Sequence, residues 1–177
     1  MAEPRDATQL ASRDVIELAV PGFVHVPERI PAGLVLVTGA GGQLGMDVMR
    51  MAAAAGVEAV GMDRQLLDIT DANEVAERIA AYAPTTIIHC AAWTAVDDAE
   101  SHEADALRVN ARGTEHVAAA AAACGSRLIA VSTDYVFPGS NPDGYAEDDP
   151  TSPINAYGRT KLAAEHAALG YPNTLVA

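Results

Sequence analysis

The sequence predicts an α/β fold with a doubly wound parallel sheet from residue 34 onward, and three observations predict it. Short apolar runs alternate with longer helical stretches along most of the 177 residues. Glycine, proline or a capping acid marks each change of element. The first apolar run opens directly into a glycine-rich turn, Gly39 to Gly45.

The first run, Leu34 to Thr38, is short and unbroken, as suits a parallel strand buried on both faces. Gln43 to Ala55 then reads as a helix with Leu44, Val48, Met51 and Ala55 on its apolar side, stopped by Gly56. Val57 to Met62 is the second strand and ends at Asp63. Asp71 is placed to cap a helix that runs through Tyr82 and stops before Pro84. Thr86 to His89 is the third strand, Glu100 to Ala123 one long alanine-rich helix stopped by Gly125, and Arg127 to Ser132 the fourth strand. After a loop rich in Pro, Gly, Asn and Asp, a helix is expected from about Ile154 to Leu169, with Ser152 as N-cap and Pro153 in its first turn. Thr174 to Val176 begins a fifth strand. This alternation implies right-handed crossovers and helices on both faces of the sheet. Residues 1–33 break the pattern with Pro4, Pro21, Pro27 and Pro31, and hold one apolar stretch, Val15 to Val26, able to pair as an irregular strand. They read as an irregular N-terminal extension, against a domain spanning 34–177.

Composition narrows the function. A net charge of −13 argues against nucleic acid or an anionic membrane surface as partner. The core must come from Ala, Val, Ile and Leu, since only 5% of residues are aromatic. Cys90 and Cys124 lack metal-ligand spacing and read as buried free thiols, so no metal site is assigned. The charged N-terminus and the lack of a membrane-length apolar run point to a cytoplasmic protein.

Gly39, Gly42 and Gly45 recur at three-residue spacing between a strand and a helix. There they allow a tight turn, a close backbone approach to a pyrophosphate, and contact between helix and sheet. The fold is therefore read as Rossmann-type. Asp63, at the end of strand two, stands where an acid accepts a hydrogen bond from an adenosine ribose, while Arg64 beside it suits a 2′-phosphate, so NADH and NADPH both stay open. Asp63 also suits an ordinary turn acid. Asp68 and Ile69 follow, positioned to border the adenine.

Lys161 is the only lysine in the chain and lies four residues after Tyr157. On a helix this spacing puts ammonium and phenol on one face. A phenol with a free pKa of about 10 gives up its proton more readily beside a positive charge. A compact ammonium also reaches a sugar hydroxyl in a way that arginine's rigid fork does not. An exposed helical pair that merely covers surface is the plainer alternative.

The segment Ser132-Thr133-Asp134-Tyr135-Val136-Phe137-Pro138-Gly139 is the most specific in the chain. With Gly42 to Gly45, His89 to Asp97 and Ser152 to Glu165, it resembles the dTDP-4-dehydrorhamnose reductase family of the extended short-chain dehydrogenase/reductase superfamily. The resemblance covers about residues 34 to 177. It implies that Thr133, Tyr157 and Lys161 are catalytic, and that Thr133, Asp134 and Tyr135 meet the sugar of a dTDP-linked substrate. Gly39, Gly42, Gln43, Leu44, Gly45, Asp63, Arg64, Asp68, Ile69, Cys90, Ala91 and Ala92, with Tyr157 and Lys161, would line NADPH or NADH. The implied reaction is reduction of the C4 ketone of dTDP-4-dehydro-L-rhamnose. His89 and Trp93 depart from the usual family residues, and His89 is expected to be a hydrogen-bonded strand-end residue.

Family members run to roughly twice a single Rossmann half, so the substrate-binding C-terminal part is expected to be missing, leaving an edge strand and apolar faces uncovered. A homodimer, or a partner supplying that part, is the corresponding expectation, and Mg2+ enters through the resemblance alone. Two other functions fit the same motifs. One is an epimerase or dehydratase on another nucleotide sugar, and the other is a non-catalytic NAD(P)-binding regulatory module.

Overall fold

The structure, a computed structural model, describes residues 33–177. The extension and its apolar stretch Val15 to Val26 therefore lie outside the described residues. Five strands form one parallel sheet: β1 Val35–Thr38, β2 Ala59–Met62, β3 Thr86–His89, β4 Arg127–Ala130 and β5 Thr174–Val176, in the order β2-β1-β3-β4-β5. The order reverses between β1 and β3, and the register sets Thr38 beside both Met62 and His89, so the carboxyl ends of the strands share one edge. Ligands of open α/β sheets bind outside that edge, at the reversal.

The helices between strands are α1 Gln43–Ala54, α2 Ala72–Tyr82, the short α3 Val96–Ala99 and α4 Glu103–Leu107, then α5 Gly113–Cys124 and α6 Ala156–Leu169. Residues alternate sides along each strand. Leu36, Ile87 and Leu128 stand in register on one side, packed with Val75 and Ile79 of α2, Val117 of α5 and Ala168 of α6. The opposite side carries α1, which lies over Gly61 so closely that a Cβ there would come 2.7 Å from the Ala40 Cβ and 3.3 Å from the Met49 sulfur.

Asp71 caps α2 as expected, accepting from the N–H groups of Asn73 and Glu74 at 2.9 and 3.1 Å. Three expectations about helices are corrected. The inward residues of α1 are Gly45, Val48, Met49 and Ala52, while Leu44 and Met51 are exposed, because the glycine that must touch the sheet sets the rotation of the helix. The long helix expected over 100–123 is α4, a π-helical turn at Arg108–Arg112, and α5, with the short α3 ending just before it at Ala99. Buried Asn110 lies in that turn, and its amide accepts from the Trp93 N–H at 2.7 Å and donates to the Trp93 carbonyl at 3.1 Å and the Thr160 hydroxyl at 2.9 Å. π-turns of this kind gather at functional sites. The N-cap of α6 is Asn155, whose side chain accepts from the Gly158 N–H at 2.7 Å; Ser152 is tied instead by its own N–H to the Val136 carbonyl. The thiols also differ from expectation, since Cys124 is exposed and Cys90 only partly buried.

Candidate functional site

A groove of about 740 Å3 runs along the carboxyl edge of the sheet, within the size range of small-molecule sites. Its floor is the β1 turn. At Gly39 a Cβ would lie 2.6 Å from the Ala91 backbone nitrogen, and at Gly45 it would collide with the Gly39 carbonyl, so the turns after β1 and β3 meet only because side chains are absent. Helix α1 is N-capped by Gly42 with no side-chain cap hydrogen bond, and an uncapped helix start of this kind suits an anion.

Asp63 uses one carboxylate oxygen to accept from the Gln65 and Leu66 N–H groups at 2.9 and 3.1 Å. It is thus both the turn acid and a wall of the groove. Asp68 is held below the usual carboxylate range, first by hydrogen bonds from the Thr70 backbone and hydroxyl, then by the charges of Arg64 and Arg108.

Every cofactor residue expected from sequence lines this groove: Gly39, Gly42, Gln43, Leu44, Gly45, Asp63, Arg64, Asp68, Ile69, Cys90, Ala91, Ala92, Tyr157 and Lys161. Thr133, Asp134 and Tyr135 are outside its lining but gather at Tyr157. The Tyr135 ring meets the Tyr157 ring edge-on at 5.7 Å, and the Thr133 hydroxyl lies near enough to the Tyr157 phenol to favour its ionised form. Burial pushes the phenol above its ordinary value, Thr133 partly offsets this, and Tyr135 and Asp134 add to it. Lys161 is buried, its ammonium donates to the Val131 carbonyl at 2.6 Å, and burial lowers its pKa against the pull of Glu165 and Cys90. In this arrangement the state of the phenol is governed by burial rather than by Lys161.

His89 is the hydrogen-bonded strand-end residue expected. Its Nδ1 lies 2.6 Å from the Thr38 hydroxyl and its Nε2 3.1 Å from that of Thr114. Burial, then the Lys161 charge, lowers its pKa to about 3, so it is neutral at pH 7.

The family model described as RmlD substrate binding domain matches residues 33–176. The chain belongs to the RmlD substrate binding domain family. Among its relatives, dTDP-4-dehydrorhamnose reductase of Streptomyces griseus is 47% identical over 134 residues, covering 76% of this chain and 44% of that protein. The Mycobacterium tuberculosis protein of the same name is 46% identical over 146 residues, covering 80% and 47%. The solved dTDP-4-dehydrorhamnose reductase of Bacillus anthracis, in complex with NADP, superposes with a TM-score of 0.79 at 38% identity, covering 81% of this chain and 52% of that one. The chain spans about half the length of the curated relatives it matches.

For this RmlD-family chain the groove fits a nicotinamide dinucleotide on its own features. It has a side-chain-free floor, an uncapped helix start, and a wall residue, Trp93, whose buried Nε1 finds no hydrogen-bond partner among the described residues. The described residues hold no cluster of three or more His, Cys, Asp or Glu placed to bind a metal ion. No described helix is long and apolar enough to cross a membrane. Sequence reading missed Arg108, Val131 and Ser132 in the groove wall, and Asn110 behind it. Asn110 carried one usable signal, a polar residue within an alanine-rich helical run.

Proposed function

We propose that this chain binds NADPH or NADH in the groove and takes part in reducing the C4 ketone of dTDP-4-dehydro-L-rhamnose to dTDP-L-rhamnose. The observation that carries the reading is the meeting of Thr133, Tyr157 and Lys161 at one end of a dinucleotide-sized groove. The Bacillus anthracis relative, solved with NADP, supports it. A bound nicotinamide supplies hydride. Tyr157, kept protonated by burial, hands its phenolic proton to the ketone oxygen, and the Thr133 hydroxyl orients that oxygen beside it. Lys161, fixed in the groove wall, holds the nicotinamide ribose. Asp134 and Tyr135 flank the sugar. Asp63 suits a free ribose hydroxyl, whereas Arg64 and Arg108 suit a 2′-phosphate, and calorimetric titration with NADH and NADPH ranks the two.

Because the chain spans about half of such relatives, turnover is followed by nicotinamide oxidation both for the chain alone and for a version joined to the remaining half of the Streptomyces griseus relative. Silence of the joined protein that still binds NADPH would end the reductase reading. Tyr157→Phe in the active form should lose at least about 100-fold in kcat with cofactor affinity unchanged. The half-length coverage favours one second reading, a dinucleotide-binding module without turnover, which predicts NADPH binding by both forms and oxidation by neither.

A further inference from the structure

Sharing Val131, Ser132 and Lys161 with the groove lies a half-open pocket of about 10 Å3, room for about one water. Lys161, Glu165, Ser132 and Thr114 are on its wall. Glu165 follows Lys161 by one helical turn, so its side chain rises on the same face of α6. The Ser132 hydroxyl, at the end of β4, donates to the Glu165 carboxylate and fixes it there. Ser132 is itself anchored, its N–H donating to the Ala177 carbonyl at 2.6 Å.

We propose that Glu165, held by Ser132, is a positioning residue for Lys161: its carboxylate is the counter-charge that keeps the buried ammonium protonated and aimed into the groove. A buried cation needs a compensating charge, and besides Glu165 only Cys90 favours the ammonium, a thiol whose own ionisation burial disfavours. Tyr157, one turn earlier on the same helix, is a neutral phenol; Cys90, at the end of β3, is a thiol pushed up by burial; His89 is neutral; and Val131 offers only a carbonyl. Glu165 is the first-ranking charge favouring the ammonium. The catalytic value of this arrangement rests on the reading of Lys161 as the amine that holds the nicotinamide ribose.

The single lysine makes the test direct, since protein carrying ε-13C-labelled lysine gives one side-chain signal without assignment. Its titration midpoint should fall by about one pH unit or more in Glu165→Gln, and by less in Ser132→Ala, which frees the carboxylate without removing it. An unchanged midpoint in a folded Glu165→Gln protein overturns the proposal. If that variant does not fold, Ser132→Ala decides in its place, and an unchanged midpoint there overturns the proposal equally. Failure of the unmodified chain to bind NADPH would instead sink the functional reading and leave the titration result standing.

Discussion

On one face of the sheet Leu36, Ile87 and Leu128 stand side by side and are wholly buried beneath α2 and α5. On the other, Val37, Ile88, Ile129 and Leu175 form an equally apolar row, but burial fades along it. Val37 is sealed, Ile88 and Ile129 are partly covered, and Leu175 at the edge is 56% exposed. The strands are alike, so the difference comes from the helices. Among the described residues α1 alone lies over the second face, at its β1 and β2 end, whereas α2, α5 and α6 cover the first. Strands apolar on both sides suit a sheet covered on both sides, and among the described residues helices spread across one side only. The groove lies where both faces reach the carboxyl edge, with its glycine floor running into α1 and its Tyr157 and Lys161 end on α6.

Paired truncations give the widest contrast. Leu128→Ala should cost about 2–5 kcal/mol in urea titration, as a cavity in a closed core does, while its neighbour Ile129→Ala should cost no more than about half as much. Equal losses would mean that the second face is sealed in solution. Crowding the covered end of the weaker face comes next. Gly61→Ala puts a methyl against Ala40 and Met49 and should destabilise by about 1–3 kcal/mol, with looser NADPH binding because α1 carries the groove's anion-facing end. A tighter protein would contradict the placement of α1.

His89 reports on the better-covered face through pH. Its folded pKa of about 3 lies below the unfolded value of about 6.5, so unfolding takes up a proton between them. Its contribution is fully present above about pH 6.5 and is lost as the pH falls towards 3, at about 1.4 kcal/mol per pH unit. His89→Gln should flatten the stability profile in that window, and a profile unchanged by the substitution would refute the buried neutral imidazole. The smallest effect is expected at the open edge. Leu175→Thr should change stability by less than about 0.5 kcal/mol yet reduce binding of a hydrophobic dye, and a large loss of stability there would show that β5 is covered.

Most of the fold was legible because its signals are local. The Leu34 to Thr38 run, Asp71 before its helix and the glycines at 39 to 45 each act within a few residues, through burial, capping and backbone freedom. The errors share a cause in distant partners. Ser152 and Asn155 are both credible caps, and the choice fell to Asn155 because Val136 engages Ser152. The run from 100 to 123 has helical composition throughout, but Asn110 must reach Trp93 and Thr160, and the helix widens into a π-turn where it does. Met51 and Leu44 suit an apolar stripe by spacing, whereas contact at Gly45 and Gly61 turned them outward.

In the site the division is the same. Glycine spacing marked Gly39, Gly42 and Gly45 and the strand end marked Asp63, because a backbone cradle needs glycine at set places in one short turn, while Gln43, Leu44, Cys90, Ala91 and Ala92 were expected through the family resemblance; all of them line the groove. The spacing of Tyr157 and Lys161 put them on one helix face, and nothing local could say what faces them. Tertiary structure decided that Thr133 sits at the phenol, that burial rather than Lys161 governs its proton, and that Ser132 engages Glu165 on the helix that carries Lys161. Those relations join β4 to α6 across more than twenty residues, and desolvation and charge act through space, which the order of residues does not record.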